Sequence, residues 1–318
     1  MKIVCLDGYT LYPKDDPRWA RFNNIAEFEI YDRTSPDQVV PHAKGAAIVL
    51  TNKVVIDARA IAALPDLRYI GVLATGFNVV DIEAARKACI TVCNIPAYST
   101  QSVAQLTFAL LLAIANRVET YATEISKGKW SACEDFTYRD GEWPELAGKT
   151  FGIVGFGNIG QAVAKIAAGF GMKVALYTSK AANDLPSGYA KMELDELFAS
   201  CDVISLHCPL TPDTKQMVDS RRLSLMKPSA ILLNASRGQI VDEQALANAL
   251  NEGRIFGAGL DVLVNEPPRK DCPLLTARNC FITPHIAWAS TEARERLLNI
   301  AFTNVQAYID GKPINVVS

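Results

Sequence analysis

Three polar side chains, far apart in the chain, each follow a short apolar run. Arg237 stands in Asn234-Ala235-Ser236-Arg237-Gly238, Glu266 shortly after Gly259-Leu260-Asp261-Val262, and His285 after Phe281-Ile282-Thr283-Pro284. In open α/β sheets, ligands gather outside the carboxyl ends of strands, so three such residues can converge on one cleft. A guanidinium there can grip a carboxylate through two parallel bonds and polarise a neighbouring carbonyl. An imidazole can give a proton to the alkoxide that forms when hydride reaches a ketone. A carboxylate beside that imidazole favours its charged form. The chain has three histidines: His42, His207 and His285. His42, in Pro41-His42-Ala43-Lys44, reads as a surface turn. His207 ends an apolar run next to Cys208-Pro209 and reads as lining of a cofactor cleft. His285 is therefore the candidate acid–base residue.

A second constellation is Gly155-Phe156-Gly157-Asn158-Ile159-Gly160, directly after Phe151-Gly152-Ile153-Val154 and opening an amphipathic stretch. In this strand–turn–helix setting the first glycine makes the tight turn. The second lets the backbone approach a pyrophosphate, and the third lets helix and strand pack. The helix start then offers free N–H groups and a positive dipole end to the phosphates. After the next apolar run comes Thr178-Ser179-Lys180, with no carboxylate until Asp184. An acid at that place would bond the ribose 2′-hydroxyl of NAD and repel a 2′-phosphate. The expectation is NAD(H) or NADP(H), leaning toward tolerance of NADP(H). The alternative is that Lys180 is merely solvated and NADH is held by other contacts.

These residues need a frame of strands and helices. Apolar runs at 3–6, 46–50, 69–73 and 91–94 alternate with helical patterns at 57–63 and 80–88. From 150 the rhythm restarts: strands at 151–156, 173–178, 202–207, 230–235 and 255–262, and helices at 158–170, 192–200 and 242–253. Such alternation predicts parallel sheets covered on both faces. The stretch 102–118 is apolar nearly all round and must be covered on every side. A last helix runs from about 290 to 310, stopped by Gly311 and Pro313. The segment 130–144 is irregular and aromatic and reads as a loop or arm.

Length and charge exclude several classes. The chain has 318 residues, and Lys+Arg 32 against Asp+Glu 34 leaves a net charge of −2. Two domains are expected, with no basic block to grip nucleic acid and no polybasic segment for a membrane surface. The longest apolar run, 108–115, is far short of the roughly 20 residues that span a bilayer. The start of the chain lacks the apolar stretch of a secretory signal. Eight cysteines without C-x-x-C spacing predict buried fillers in a reducing cytoplasm and no structural metal.

The segments 234–238, Asp261 to Pro267 and Thr283-Pro284-His285 resemble those of the D-isomer-specific 2-hydroxyacid dehydrogenases. So do 74–81, similar to the family's substrate-carboxylate loop, and 102–107, similar to the start of its connecting helix. The resemblance covers nearly the whole chain. It implies an α/β architecture of two doubly wound parallel-sheet domains. A Rossmann cofactor domain (99–287) would be inserted into a flavodoxin-like substrate domain (1–98 plus 288–318), with a homodimer formed through the cofactor domains. It implies Arg237 as substrate anchor, His285 as acid/base and Glu266 as its partner. It also implies the N–H groups of Thr75 and Gly76 on the substrate carboxylate and Asp261 near the nicotinamide carboxamide. Thr107, Cys208, Pro209 and Ala235 would join the glycine turn and Thr178–Lys180 around the cofactor. Asn78 stands where many members carry Asp, and Gln105-Leu106 replaces a commoner Glu-His pair. Within the family, 285–290 and the Thr51-Asn52-Lys53 turn are most similar to the glycerate dehydrogenase (hydroxypyruvate reductase) branch. Asn52 and Lys53 would meet a 3-hydroxyl, and Trp288 would shape a small pocket. A 3-phosphoglycerate dehydrogenase and a non-enzymatic NAD(H)-sensing corepressor-like protein are the alternatives. A formate dehydrogenase is disfavoured, because that branch pairs its His with Gln.

Overall fold

The computed structural model describes residues 1–141 and 143–318. Glu142, within the 130–144 arm, lies outside them. The chain divides into two compact units, Met1–Ser99 with Ala289–Ser318, and Thr100–Trp288.

The first unit holds five parallel strands, β1 (Lys2–Cys5), β2 (Glu27–Ile30), β3 (Ile48–Thr51), β4 (Tyr69–Val72) and β5 (Thr91–Cys93). Their order is β2-β1-β3-β4-β5, the flavodoxin-like arrangement. Ile48, Val49 and Leu50 are wholly buried, because helices cover both faces and leave no polar side. Three short helices, α1 (Val39–Ala43), α2 (Ala58–Ala62) and α3 (Ile82–Lys87), connect the strands. Asp57 and Asp81 cap α2 and α3 by accepting from Ala60 N and Ala84 N. His42 is not in a surface turn: it lies in α1, its ring stacked 3.7 Å from that of Tyr31, with Nδ1 3.0 Å from Thr34 Oγ1.

The second unit opens with α4 (Thr100–Asn116) and α5 (Val118–Ser126), separated by Arg117 in the left-handed region. That break ends α4 short of the 118 expected. There follow β6 (Thr150–Val154), α6 (Asn158–Gly169), β7 (Lys173–Tyr177), β8 (Ala190–Lys191), α7 (Leu194–Ser200), β9 (Val203–Leu206), α8 (Ser220–Leu225), β10 (Ile231–Asn234), α9 (Glu243–Asn251), β11 (Gly257–Leu260) and β12 (Cys280–Ile282). The seven strands run β12-β11-β10-β9-β6-β7-β8, all parallel. Side chains alternate between two cores: Val154, Ile204 and Leu232 on one face, Phe151, Val203 and Leu233 on the other. Period-two alternation between two apolar cores makes each strand read as a continuous apolar run. α4 lies close against the sheet because Gly257 and Gly259 leave room; a Cβ at Gly259 would sit 2.9 Å from Leu110 Cβ. The final helix, α10 (Thr291–Ile309), returns to the first unit, capped by Ser290 Oγ accepting from Ala293 N. Cys5, Cys93 and Cys201 are buried, as expected of fillers, whereas Cys89 is exposed; all eight are free thiols.

Candidate active site

In the second unit the chain leaves β6 toward β7 and β8, then returns to β9 on the other side. The carboxyl ends of β6 and β9 thus form a topological switch point, where such folds bind ligands. Gly155 follows β6 with φ +96, and a Cβ there would lie 2.7 Å from Cys208 N. A Cβ at Gly160 would collide with the Gly155 carbonyl oxygen. Gly157 precedes the twelve-residue helix α6 without a side-chain cap, and the space a Cβ would enter is open. This glycine cradle before uncapped N–H groups suits the pyrophosphate of a dinucleotide. Asn158 and Ile159 form the first turn of α6.

After β7, Lys180 N donates to Thr178 Oγ1 at 3.2 Å, and the Lys180 ammonium lies 5.3 Å from the Phe156 ring centre. Ser179 is exposed beside them. Lys191, which the sequence did not single out, donates from Nζ to the Lys180 carbonyl at 2.7 Å. At the end of β9, His207 Nε2 lies 2.8 Å from Ser205 Oγ, and burial pushes the imidazole down to about 4. Burial raises the neighbouring Cys208 thiol to about 11, so it stays protonated at neutral pH. Pro209 is exposed, its carbonyl accepting from Thr214 Oγ1. Thr107 is buried in α4, and its hydroxyl donates to the Val103 carbonyl at 2.8 Å.

Arg237 follows β10, where the Asn234 side chain shapes the turn. Asn234 Nδ2 donates to the Arg237 carbonyl at 2.9 Å, and Asn234 Oδ1 accepts from Ser236 N at 3.0 Å. Ala235 is half-buried in the same turn. The next residue, Gly238, is seated on the loop after β11; a Cβ there would overlap the backbone of Leu263 and Val264. Gln239 Nε2 donates to the Val264 carbonyl at 3.0 Å. This seat joins the Arg237 loop to the loop carrying Glu266. Glu266 Oε1 accepts from Leu263 N at 3.1 Å, and Oε2 lies 2.6 Å from His285 Nδ1. The imidazole and carboxylate keep 26% and 36% side-chain exposure, so both remain open to a ligand.

His285 has φ +54, an uncommon backbone state for a residue with a side chain. Asp261 holds it there. The Asp261 carboxylate accepts from Thr283 Oγ1 (2.6 Å), Ile286 N (2.9 Å) and Ala287 N (2.8 Å), and its carbonyl accepts from His285 N (2.9 Å). Burial raises the Asp261 carboxyl, while these donors and the nearby His285 pull it back. The residue expected near the carboxamide is thus the clamp of the histidine loop. Trp288 follows, half-buried.

In the first unit, Asp7 follows β1 and is 4% exposed. It accepts from Asn52 N (2.8 Å), Lys53 N (2.5 Å) and Val54 N (3.2 Å). Asn52 departs from its expected part in a substrate lid: it is buried, and its amide donates to Thr10 Oγ1 at 3.0 Å. Lys53 is exposed. Thr75 follows β4, its hydroxyl donating to the Ile95 carbonyl at 2.8 Å, and Gly76 is half-buried beside it. The sequence reading missed Asp7 because its partners lie 45 to 47 residues away. An Asp-Gly pair after an apolar run signalled only a turn.

The D-isomer specific 2-hydroxyacid dehydrogenase NAD-binding domain matches residues 108–287. The chain is 45% identical over 322 aligned positions to a hydroxypyruvate reductase of Blautia hydrogenotrophica, covering 100% of both chains. It is 40% identical to a glycerate dehydrogenase of Methylorubrum extorquens, covering 99% of this chain and 98% of that one. Its fold matches, with a TM-score of 0.88 at 33% identity over the full length of both, an acyclic imino acid reductase in complex with NADPH and D-Arg. The chain belongs to the D-isomer-specific 2-hydroxyacid dehydrogenases, a family of NAD(P)-dependent oxidoreductases.

Proposed function

We propose that the protein reduces hydroxypyruvate to D-glycerate, and glyoxylate to glycolate, with His285 as proton donor. The observation that carries this reading is the 2.6 Å contact between His285 Nδ1 and Glu266 Oε2. With Nδ1–H held by the carboxylate, Nε2 is the atom left to deliver a proton to the developing alkoxide. Arg237 grips the substrate carboxylate and polarises the adjacent carbonyl. The N–H groups of Thr75 and Gly76 are further carboxylate donors. Bound NAD(P)H supplies the hydride that adds to C2. In the reverse direction neutral His285 is the base.

The likeness to a hydroxypyruvate reductase and a glycerate dehydrogenase supports the choice of oxoacid. Thr178, Ser179, Lys180 and Lys191 favour tolerance of a 2′-phosphate, and the imino acid reductase of similar fold was solved with NADPH. The test is turnover of hydroxypyruvate, glyoxylate, pyruvate and phosphohydroxypyruvate with each reduced nicotinamide. The expected result is the highest kcat/KM with hydroxypyruvate and substantial use of NADPH. No turnover of any 2-oxoacid would overturn the activity, and strong preference for NADH would overturn the cofactor assignment.

We assign the protein to the cytoplasm as a homodimer formed through the second unit. Val118, Trp130 and Phe136 are exposed there, at 67%, 49% and 88%, apolar side chains that a second copy could cover. Eight free thiols suit a reducing compartment. Light scattering at micromolar concentration giving the mass of one chain would remove the dimer.

A further inference from the structure

A cavity of about 410 Å³ opens within the first unit, at the carboxyl ends of β1, β2 and β3. It lies where the chain leaves β1 toward β2 on one side and β3 on the other, the switch point of this sheet. Thr75 and Gly76 follow β4, beyond β3, and neither lines it. Its apolar walls are Tyr9, Pro36, Val54 and Val55; its cations are Arg33 and Lys53. Tyr9 and Val55 are 52% and 60% exposed, an apolar surface presented to solvent at a concave site.

One guanidinium at this cavity is placed to receive an anion. The Arg33 guanidinium stacks 4.2 Å from the Tyr9 ring centre. Stacking occupies the face of the guanidinium and leaves its N–H edge for a planar acceptor. Two carboxylates also line the cavity, but each already accepts from the backbone. Asp7 holds the N–H groups of 52–54, and Asp32 Oδ1 accepts from Lys14 N at 2.9 Å. We propose that this cavity is a second binding site, for a small organic carboxylate. Its anionic end meets Arg33, and its apolar body lies against Tyr9, Val54 and Val55. The occupant contacts the same turn that Asp7 clamps, so it also tightens the position of Lys53.

The test is equilibrium dialysis of the full-length protein with benzoate, which joins a carboxylate to a flat apolar body. The proposal expects one saturable equivalent per chain that survives in Arg237→Gln. Binding weakens about tenfold or more in Arg33→Gln, through loss of the charge-assisted pair, and disappears in Val55→Trp, which fills the cavity. Benzyl alcohol, with the same body and no charge, binds at least about tenfold more weakly. Benzoate binding unchanged in both Arg33→Gln and Val55→Trp would overturn the proposal. So would its abolition by Arg237→Gln alone, or equal binding of benzyl alcohol. Because Arg33 is exposed and outside the reaction machinery, Arg33→Gln retains wild-type turnover of hydroxypyruvate, which separates a failure here from a failure of the proposed activity.

Discussion

The two units use one device for two ends. In each, a buried aspartate just past a strand takes backbone N–H groups from the loop after a neighbouring strand. Asp7 after β1 holds 52–54, which follow β3; Asp261 after β11 holds 285–287, which follow β12. Both carboxyls are raised by burial, and in both the N–H donors oppose that rise. The difference is what the loop carries. Asp261 fixes a left-handed histidine paired with Glu266, whereas Asp7 fixes a turn whose lysine is exposed and whose asparagine faces inward. The same anchor thus holds the candidate acid–base histidine in one unit and shapes a surface turn in the other.

The largest effect should come from the cargo of the second clamp. His285→Ala should lower kcat by about 10²- to 10⁴-fold while NAD(P)H binding, read by fluorescence titration, persists; near wild-type turnover would remove the acid–base role. Asp261→Asn comes next. The amide turns an N–H₂ toward backbone donors, costing about 1–3 kcal/mol by denaturant titration. It should also cut kcat by about tenfold or more as the histidine loop loosens. Asp7→Asn should cost similar stability, with kcat and the KM for hydroxypyruvate both near wild type. If Asp7→Asn instead lowered kcat as much as Asp261→Asn, the contrast between the clamps would collapse.

The smallest effect is in pH. His207 falls to about 4 in the folded protein from an ordinary 6.5. Between those values the unfolded chain binds the extra proton, so stability rises with pH across that window and is lost on acidification. The two raised aspartates act oppositely: the folded state holds their protons more tightly, so their contribution falls as pH climbs above 3.8. His207→Gln should flatten the stability profile between about pH 4 and 6.5 by about 1–3 kcal/mol, allowing for a ring at the solvent edge. An unchanged slope in that window would assign the acid sensitivity elsewhere.

Much of the second unit was legible because its chemistry is written locally. The glycine turn, Arg237 and His285 each follow a largely apolar strand, and strand ends are where such sheets act. The first unit was harder. β2, Glu27-Phe28-Glu29-Ile30, carries acids on an edge strand, with Glu29 paired to Lys2 at 2.6 Å, so no apolar run announced it. Asn52 looked like a solvent-facing lid residue, yet its amide is drawn inward by Thr10, a contact between segments 42 residues apart. Thr107 matched a family motif, and its hydroxyl also bonds the carbonyl four residues back, which the motif did not announce. In each case long-range or back-bonded partners decided the outcome, and neither is encoded in spacing.

The contact at Gly238 has a consequence for anyone redesigning this enzyme. With backbone pressed on backbone there, the segments bearing the guanidinium and the acid are a single mechanical part. Grafting either one alone from a differently shaped homologue would displace the other and misalign Glu266 with His285. Altered selectivity is therefore more accessible by exchanging both as a matched cassette.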